Sequence, residues 1–327
     1  MDWSRQTVLV TGAGGFIGSH LAERLVELGA RTRALVRYTS TNAWGWLDQS
    51  PRKSDVQVLL GDVRDQDSVH EAVRGADIVF HLAALIGIPY SYHTPLAYVR
   101  TNVEGTLNVL QAAREAGTRL VVHTSTSEVY GTARYVPIDE AHPLQGQSPY
   151  AASKIGADKL AESFVHSYGM PVATVRPFNT FGPRQSARAI IPTFMSQCLT
   201  GAKIRLGNLT PTRDLNFVQN TVDGYIRVAE TPAAAGRTLN LGSGREISVG
   251  DLARLIVRLA DRPVEIEQDA ERVRPEASEV ERLLADTTAA RDLLGWKPAV
   301  PLEEGLRITF EWMCEHLDGY RPGVYVV

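Results

Sequence analysis

The chain has 327 residues, 44% of them apolar, with 34 lysines and arginines against 37 aspartates and glutamates and a formal net charge of −3. That length holds one large domain or two lobes with an ample core, and the charge leaves no basic footprint for nucleic acid. No apolar run nears the ~18 residues that suggest a membrane span. The N-terminus is expected to enter a strand almost at once, so no signal peptide is expected. Cys198 and Cys314, the two cysteines, have no metal-ligand spacing and predict no disulfide framework, so no metal site and a reducing, cytoplasmic location are expected.

In chain order, the spacing predicts a strand at Thr7–Thr11, a helix at Gly15–Leu28, and strands at Arg31–Val36 and Val56–Leu60. A helix at Ser68–Arg74, a strand at Ile78–Leu82 and a long helix at Pro95–Ala116 follow. A strand at Arg119–Ser125, a helix at Tyr150–Tyr168 and a strand at Val172–Pro177 close the series. Strands separated by helices imply βαβ crossovers, and hence a doubly wound α/β fold with a parallel sheet covered on both faces. After Pro177 the rhythm breaks, with Pro183, Pro192 and Pro211 in loops and helices expected to be short. Strands at Asn216–Val218 and Thr238–Leu241 are expected to return to the main sheet. Helices at Ser248–Ala260, Thr287–Leu294 and Leu302–Leu317 read as a smaller α/β lobe. The expected division is a dinucleotide-binding domain over 1–178, with 215–241 added to it, and a mainly substrate-binding C-terminal lobe over 179–327.

The first strand runs into Gly12-Ala-Gly-Gly15-Phe16-Ile17-Gly18. Strand, glycine turn, then helix is the context in which such a motif binds a dinucleotide. Gly12 permits the turn, Gly15 lets backbone approach a pyrophosphate, and Gly18 packs helix on strand. The spacing is G-x-x-G-x-x-G, and a purely structural glycine turn is the other reading. Asp62 and Val63 follow the third strand, where Asp62 either accepts from an adenine amino group or caps a helix. His81-Leu82-Ala83-Ala84 ends the fourth strand, with small residues facing the cofactor and His81 read as a packed strand residue. At the end of the second strand, an acidic residue would bind the ribose of NAD. Arg37 stands there instead; it suits a 2′-phosphate and favours NADP, the alternative being stacking on adenine with NAD bound.

Tyr150 and Lys154 stand four residues apart, on one helical face. A phenol is a poor base at neutral pH, but a neighbouring ammonium favours its ionised form. Tyr150 can then take an alcohol proton, with Thr126 hydrogen-bonded to the same hydroxyl and Lys154 also holding the nicotinamide ribose.

These motifs together resemble the extended short-chain dehydrogenase/reductases of the nucleotide-sugar epimerase/dehydratase group. The likeness runs through Gly12–Gly18, Asp62-Val63, His81–Ala84, Asn102, Ser125–Gly131, Tyr150–Lys154, Arg176–Asn179, Arg213-Asp214, Asn240–Gly242 and Leu294–Pro298. It implies a Rossmann fold, tightly bound NAD or NADP, and a cofactor site of Gly12, Gly15, Phe16, Ile17, Gly18, Arg37, Asp62, Val63, Leu82, Ala83, Ala84, Asn102, Tyr150 and Lys154. It implies a nucleotide-sugar substrate held by Asn179 and Arg213, with Arg274 a second clamp for the diphosphate. It also implies a homodimer paired through the long helices Pro95–Ala116 and Tyr150–Tyr168.

Thr126-Ser127-Glu128 resembles the Thr-Asp-Glu triplet of 4,6-dehydratases, with serine in place of the middle acid; GDP-mannose 4,6-dehydratases carry Thr-Ser-Glu. The expected catalytic set is therefore Thr126, Ser127, Glu128, Tyr150 and Lys154. The expected reaction is 4,6-dehydration, with an N-acetylglucosamine-type nucleotide sugar favoured by likeness. A 4-epimerase and a UDP-glucuronate decarboxylase are the alternatives, the latter with Arg188 or Arg274 holding the carboxylate. A non-enzymatic dinucleotide sensor is the reading from a different class.

Overall fold

The computed structural model describes residues 1–201, 203–269 and 280–320. Its first half runs β1 (Thr7–Thr11), α1 (Phe16–Glu27), β2 (Arg31–Val36), β3 (Gln57–Leu60), α2 (Gln66–Val73), β4 (Ile78–His81), α3 (Ile88–His93), α4 (Pro95–Tyr98), α5 (Gly105–Glu115), β5 (Leu120–Thr124), α6 (Pro149–Tyr168) and β6 (Val172–Pro177). The rest comprises β7 (Asn179–Phe181), α7 (Ile190–Thr200), β8 (Lys203–Leu206), β9 (Thr212–Phe217), α8 (Val218–Glu230), β10 (Thr238–Leu241), β11 (Glu246–Ser248), α9 (Val249–Ala260), β12 (Glu265–Gln268), α10 (Thr288–Leu294) and α11 (Leu302–Glu315).

Seven strands form one parallel sheet in the order β10-β6-β5-β4-β1-β2-β3. This is a Rossmann sheet with one strand added beside β6. β1 is buried throughout, because side chains that alternate along a strand find a helix layer on either face. Val8 and Val10 pack with Leu21 and Leu25 of α1 and Val222 and Ile226 of α8. Leu9 faces the other way, with Val69 and Val73 of α2, Val109 of α5 and Phe164 of α6.

The structure corrects several expectations. β9 does not return to the main sheet; it lies between β11 and β7 in a separate three-stranded sheet. β10 does join the main sheet, parallel to β6. The helix expected over Pro95–Ala116 is interrupted by a π-helical turn, Val99–Glu104. Fully buried Asn102 sits in that turn: its amide donates to Leu85 O and Ser153 Oγ, and its oxygen accepts from Leu85 N. α2 starts two residues earlier than expected because Asp65 caps it, accepting from Ser68 N at 2.8 Å. The second half is richer in helix than expected. α7 and α8 span 11 and 13 residues, and neither has a side-chain cap to mark its start.

Candidate active site

The sheet order reverses between β1 and β4, and the crevice beyond the strands' carboxyl ends is where such folds bind ligands. There a cavity of ≈ 1280 Å³ runs from the phosphate loop to β8 and β9. A single small-molecule pocket measures roughly 300–1,000 Å³, so this one has room for two ligands end to end.

At one end the wall is backbone. Gly12 has φ +71°, and a Cβ there would stand 2.8 Å from Ala83 N. A Cβ on Gly18 would stand 2.3 Å from Gly12 O. Gly15 caps α1 with no side-chain hydrogen bond, so among the described residues no cap side chain claims the first N–H groups of that helix, at the cavity wall. Such a helix start stabilises an anion, and the loop therefore fits the pyrophosphate of a dinucleotide. Phe16, Ile17, Val63, Leu82, Ala83 and Ala84 also line this end.

Arg37 is exposed on the same wall. Asp62 lines the wall too, but Arg64 grips its carboxylate through Nε (2.9 Å), Nη2 (2.6 Å) and its own backbone N–H (3.0 Å). Those hydrogen bonds, foremost, hold Asp62 below the usual carboxylate range against its partial burial, with the Arg37 charge assisting. Asp62 is therefore not the helix cap that one reading offered; Asp65 is. Asn102 is not part of the cavity wall. It stands behind it and fixes Leu85, which does line it.

Midway, β5 ends at Thr124 and the chain turns through a short 3-10 helix, Ser127–Tyr130, capped by Thr126, whose hydroxyl accepts from Glu128 N at 3.2 Å. The Thr126 hydroxyl also stands near enough to the Tyr150 phenol to favour its ionised form. Thr126, Ser127, Glu128, Tyr150 and Lys154 all line the cavity. Tyr150 and Lys154 come from the first turns of α6, which begins at Pro149 behind the cap Ser148. Burial drives the Tyr150 phenol upward, and the Glu128 charge adds to this. Lys154 is 3% exposed and donates to Thr124 O at 2.6 Å. Burial pushes its ammonium down to about 8, with Asp158 opposing. The protein alone thus leaves Tyr150 neutral, and a further positive charge over the site is what an ionised phenol needs. His81 is buried, joined to the hydroxyls of Thr11 (2.8 Å) and Thr106 (3.0 Å), a packed strand residue as expected.

At the far end, Asn179 on β7 lines the cavity, and its Oδ1 is buried without a hydrogen-bond partner among the described residues. Arg213 on β9 lines it too and donates to Thr212 O. Its neighbour Asp214 anchors the strand, accepting from Ser243 N and Oγ (both 2.6 Å), Gly244 N (2.9 Å) and Ala285 N (3.1 Å). Arg188 is an exposed lining residue whose charge reaches the Tyr98 phenol. Arg274 lies outside the described residues.

Sequence reasoning missed Thr39, Ala43 and Gly45 after β2, Gln185, and Arg205 to Asn208 beside Arg213. It also missed Asp158, although that residue stands one helical turn beyond Lys154 and spacing alone could have marked it.

The family profile described as GDP-mannose 4,6 dehydratase matches residues 9–309. A UDP-glucose 4-epimerase of Mycolicibacterium smegmatis is 34% identical over 93% of this chain and 97% of its own length. A UDP-glucuronic acid decarboxylase 1 of Xenopus tropicalis is 30% identical over 98% of this chain and 75% of its own. The solved DesIV, a dTDP-glucose 4,6-dehydratase of Streptomyces venezuelae with NAD bound, superposes with a TM-score of 0.84 at 29% identity, covering 96% of this chain and 99% of that one.

Proposed function

The chain belongs to the GDP-mannose 4,6 dehydratase family, among the nucleotide-sugar dehydratases and epimerases of the extended short-chain dehydrogenase/reductases, and we propose that it is a nucleotide-sugar 4,6-dehydratase. Gly12, Gly15, Phe16, Ile17 and Gly18 hold the pyrophosphate of NAD or NADP in this reading, and Lys154 the nicotinamide ribose. Arg37, exposed at the ribose end of the wall, supports NADP. When bound, that cofactor would supply the hydride acceptor for the sugar C4 and the hydride donor for C6.

The chain's own residues move the protons. Tyr150, beside Lys154 and Thr126, takes the proton of the C4 hydroxyl. The resulting 4-ketone acidifies the C5 proton. Glu128 removes that proton and donates one to the departing C6 hydroxyl, with Ser127 orienting the carboxylate. C5 regains a proton as the hydride reaches C6, and Tyr150 gives up the one it took from the C4 hydroxyl, so atoms balance as loss of one water, with no net redox change. Asn179, Arg188 and Arg213 hold the nucleotide diphosphate and sugar, and Arg274 is assigned the same role from sequence.

The observation that carries this reading is Glu128. It lies in the cavity wall on the turn capped by Thr126, near enough for its charge to act on Tyr150. Oxidation and return at C4, the epimerase reaction, needs no such acid. Arg188 gives a second reading some support, because a cation on this wall suits the carboxylate of UDP-glucuronate and hence decarboxylation.

Incubation with UDP-, GDP- and dTDP-hexoses, N-acetylglucosamine included, and with UDP-glucuronate, read by mass spectrometry, tests the proposal. Loss of water from a hexose supports it. Loss of carbon dioxide, or an isomer of unchanged mass, replaces it with decarboxylation or epimerisation.

None of the described helices is long and apolar enough to cross a membrane; we place the enzyme in the cytoplasm. We also propose a homodimer. Leu96 and Val99, 60% and 49% exposed, stand on the helical segment that would pair across the two-fold. Sedimentation at micromolar concentration tests it, a monomer being the contrary result.

A further inference from the structure

Under the cavity floor, three elements bring one buried acid to two buried cations. Lys154 and Asp158 lie one turn apart on α6, and Arg176 reaches them from β6. Asp158 Oδ2 accepts from Arg176 Nε (3.2 Å) and Nη2 (3.0 Å) and from Ser125 Oγ (2.8 Å), while Oδ1 lies 3.2 Å from His123 Nε2. All three partner residues are buried. Lys154, by contrast, has one acceptor among the described residues, the neutral carbonyl of Thr124, the residue next to Ser125.

The other titratable groups packed around this cluster are His123 on β5, His81 on β4, Tyr150 on α6, Tyr225 on α8, Tyr130 and Glu128. Burial holds His81 and His123 below the usual imidazole range, so both are neutral at pH 7. Tyr225 donates to Thr124 Oγ1 and Tyr130 to Asn240 Oδ1, and burial keeps both phenols un-ionised. Glu128 is half-buried and its charge acts on Tyr150. The floor thus holds two cations and a single buried carboxylate.

An ammonium stripped of water, with only a carbonyl for company, sheds its proton unless a carboxylate stands near. We propose that Asp158 is a positioning residue that keeps Lys154 an ammonium next to Tyr150, while Arg176, by taking the hydrogen bonds of that carboxylate, stops it from cancelling the lysine's charge. The surplus positive charge then favours a negative Tyr150, the neighbouring group able to become an anion. Had Lys154 and Asp158 formed a closed pair, that surplus would be spent. The direction of the lysine's ionisation agrees, since Asp158 is what opposes the effect of burial on it. Burial presses Asp158 itself toward neutrality, but His123, Arg176 and Lys154 together hold it below the usual carboxylate range.

This proposal rests on the reading of Lys154 as the partner of Tyr150 only for its effect on turnover. The charge relation is testable without turnover. The sequence has five lysines, so protein labelled with ¹³C at lysine Cε gives a tractable spectrum, with the Lys154 signal identified by its absence in K154M. The wild-type signal is expected to titrate near 8. In Asp158→Asn its midpoint moves to lower pH. In Arg176→Gln, which removes a repelling cation and leaves the carboxylate, it moves to higher pH. If D158N does not fold, R176Q decides alone. A Lys154 midpoint unmoved in D158N, or unmoved or lowered in R176Q, overturns the proposal, whatever the assay of the proposed reaction gives. In turnover, D158N is expected to draw the alkaline limb of the kcat profile to lower pH, because the ammonium is lost sooner. A purely structural Asp158 would lower stability and leave that limb where it is.

Discussion

At the phosphate loop the cavity wall is main chain: glycines whose missing Cβ atoms leave room, and a helix start with free N–H groups. Around Tyr150 the wall is side chains: a phenol, an ammonium and a carboxylate over a floor of buried ions. The first end selects by shape and tolerates no added atom. The second works by charge, and tolerates changes of shape better than changes of proton count. Substitutions that act on the two ends in different currencies separate these two modes.

The largest effect is expected from Tyr150→Phe, which keeps the packing and removes the acid–base hydroxyl. kcat should fall by ~10²–10⁴ with the melting temperature little changed, as turnover and a thermal melt would show. At the other end, Gly18→Ala sets a methyl 2.3 Å from Gly12 O and 2.9 Å from Ala13 Cα. Those neighbours are backbone and cannot step aside, so about 1–3 kcal/mol of overpacking falls on the loop. Fluorescence titration with NADH and NADPH should show roughly tenfold weaker binding of both.

Lys154→Met divides function from stability. Burial brings the folded-state lysine down to about 8 from its ordinary value of 10.5, so the unfolded chain holds that proton more tightly. The cost of the buried charge is complete below about pH 8 and fades as pH rises toward 10.5. K154M should therefore lose turnover yet be more stable at pH 7 by on the order of 2 kcal/mol, the gain vanishing at high pH in denaturant titrations. The smallest effect belongs to Arg37→Ala. It should weaken NADPH binding about tenfold, the worth of one charge-assisted contact, and leave NADH binding nearly unchanged. An equal effect on both would assign Arg37 to adenine stacking.

The two ends also differ in how plainly they were written in the sequence. The loop was legible because strand, glycines and helix are adjacent in the chain, and burial on both faces made β1 a continuous apolar run. Tyr150 and Lys154 were legible because four residues is one helical turn. The floor was not: Ser125, Asp158, Arg176 and Tyr225 come from β5's end, α6, β6 and α8, and only the sheet order brings them together. Asp62 and Asp65 are equivalent by composition, and the fold alone decides which one caps α2. The π turn at Asn102 left no mark either, since the amide it carries finds its partners, Leu85 and Ser153, on other segments. β9 was misplaced because a short apolar strand does not declare its sheet, and α8 was missed because it follows β9 directly with no cap.

Glu128 is where the proposed chemistry parts from simple oxidation and return. The most direct measurement is Glu128→Gln, loaded with cofactor and given the hexose nucleotide that wild type consumes, with nicotinamide absorbance and product mass followed together. The account predicts that the cofactor becomes reduced and stays so, with no water lost from the sugar. Dehydration by E128Q at the wild-type rate would contradict it.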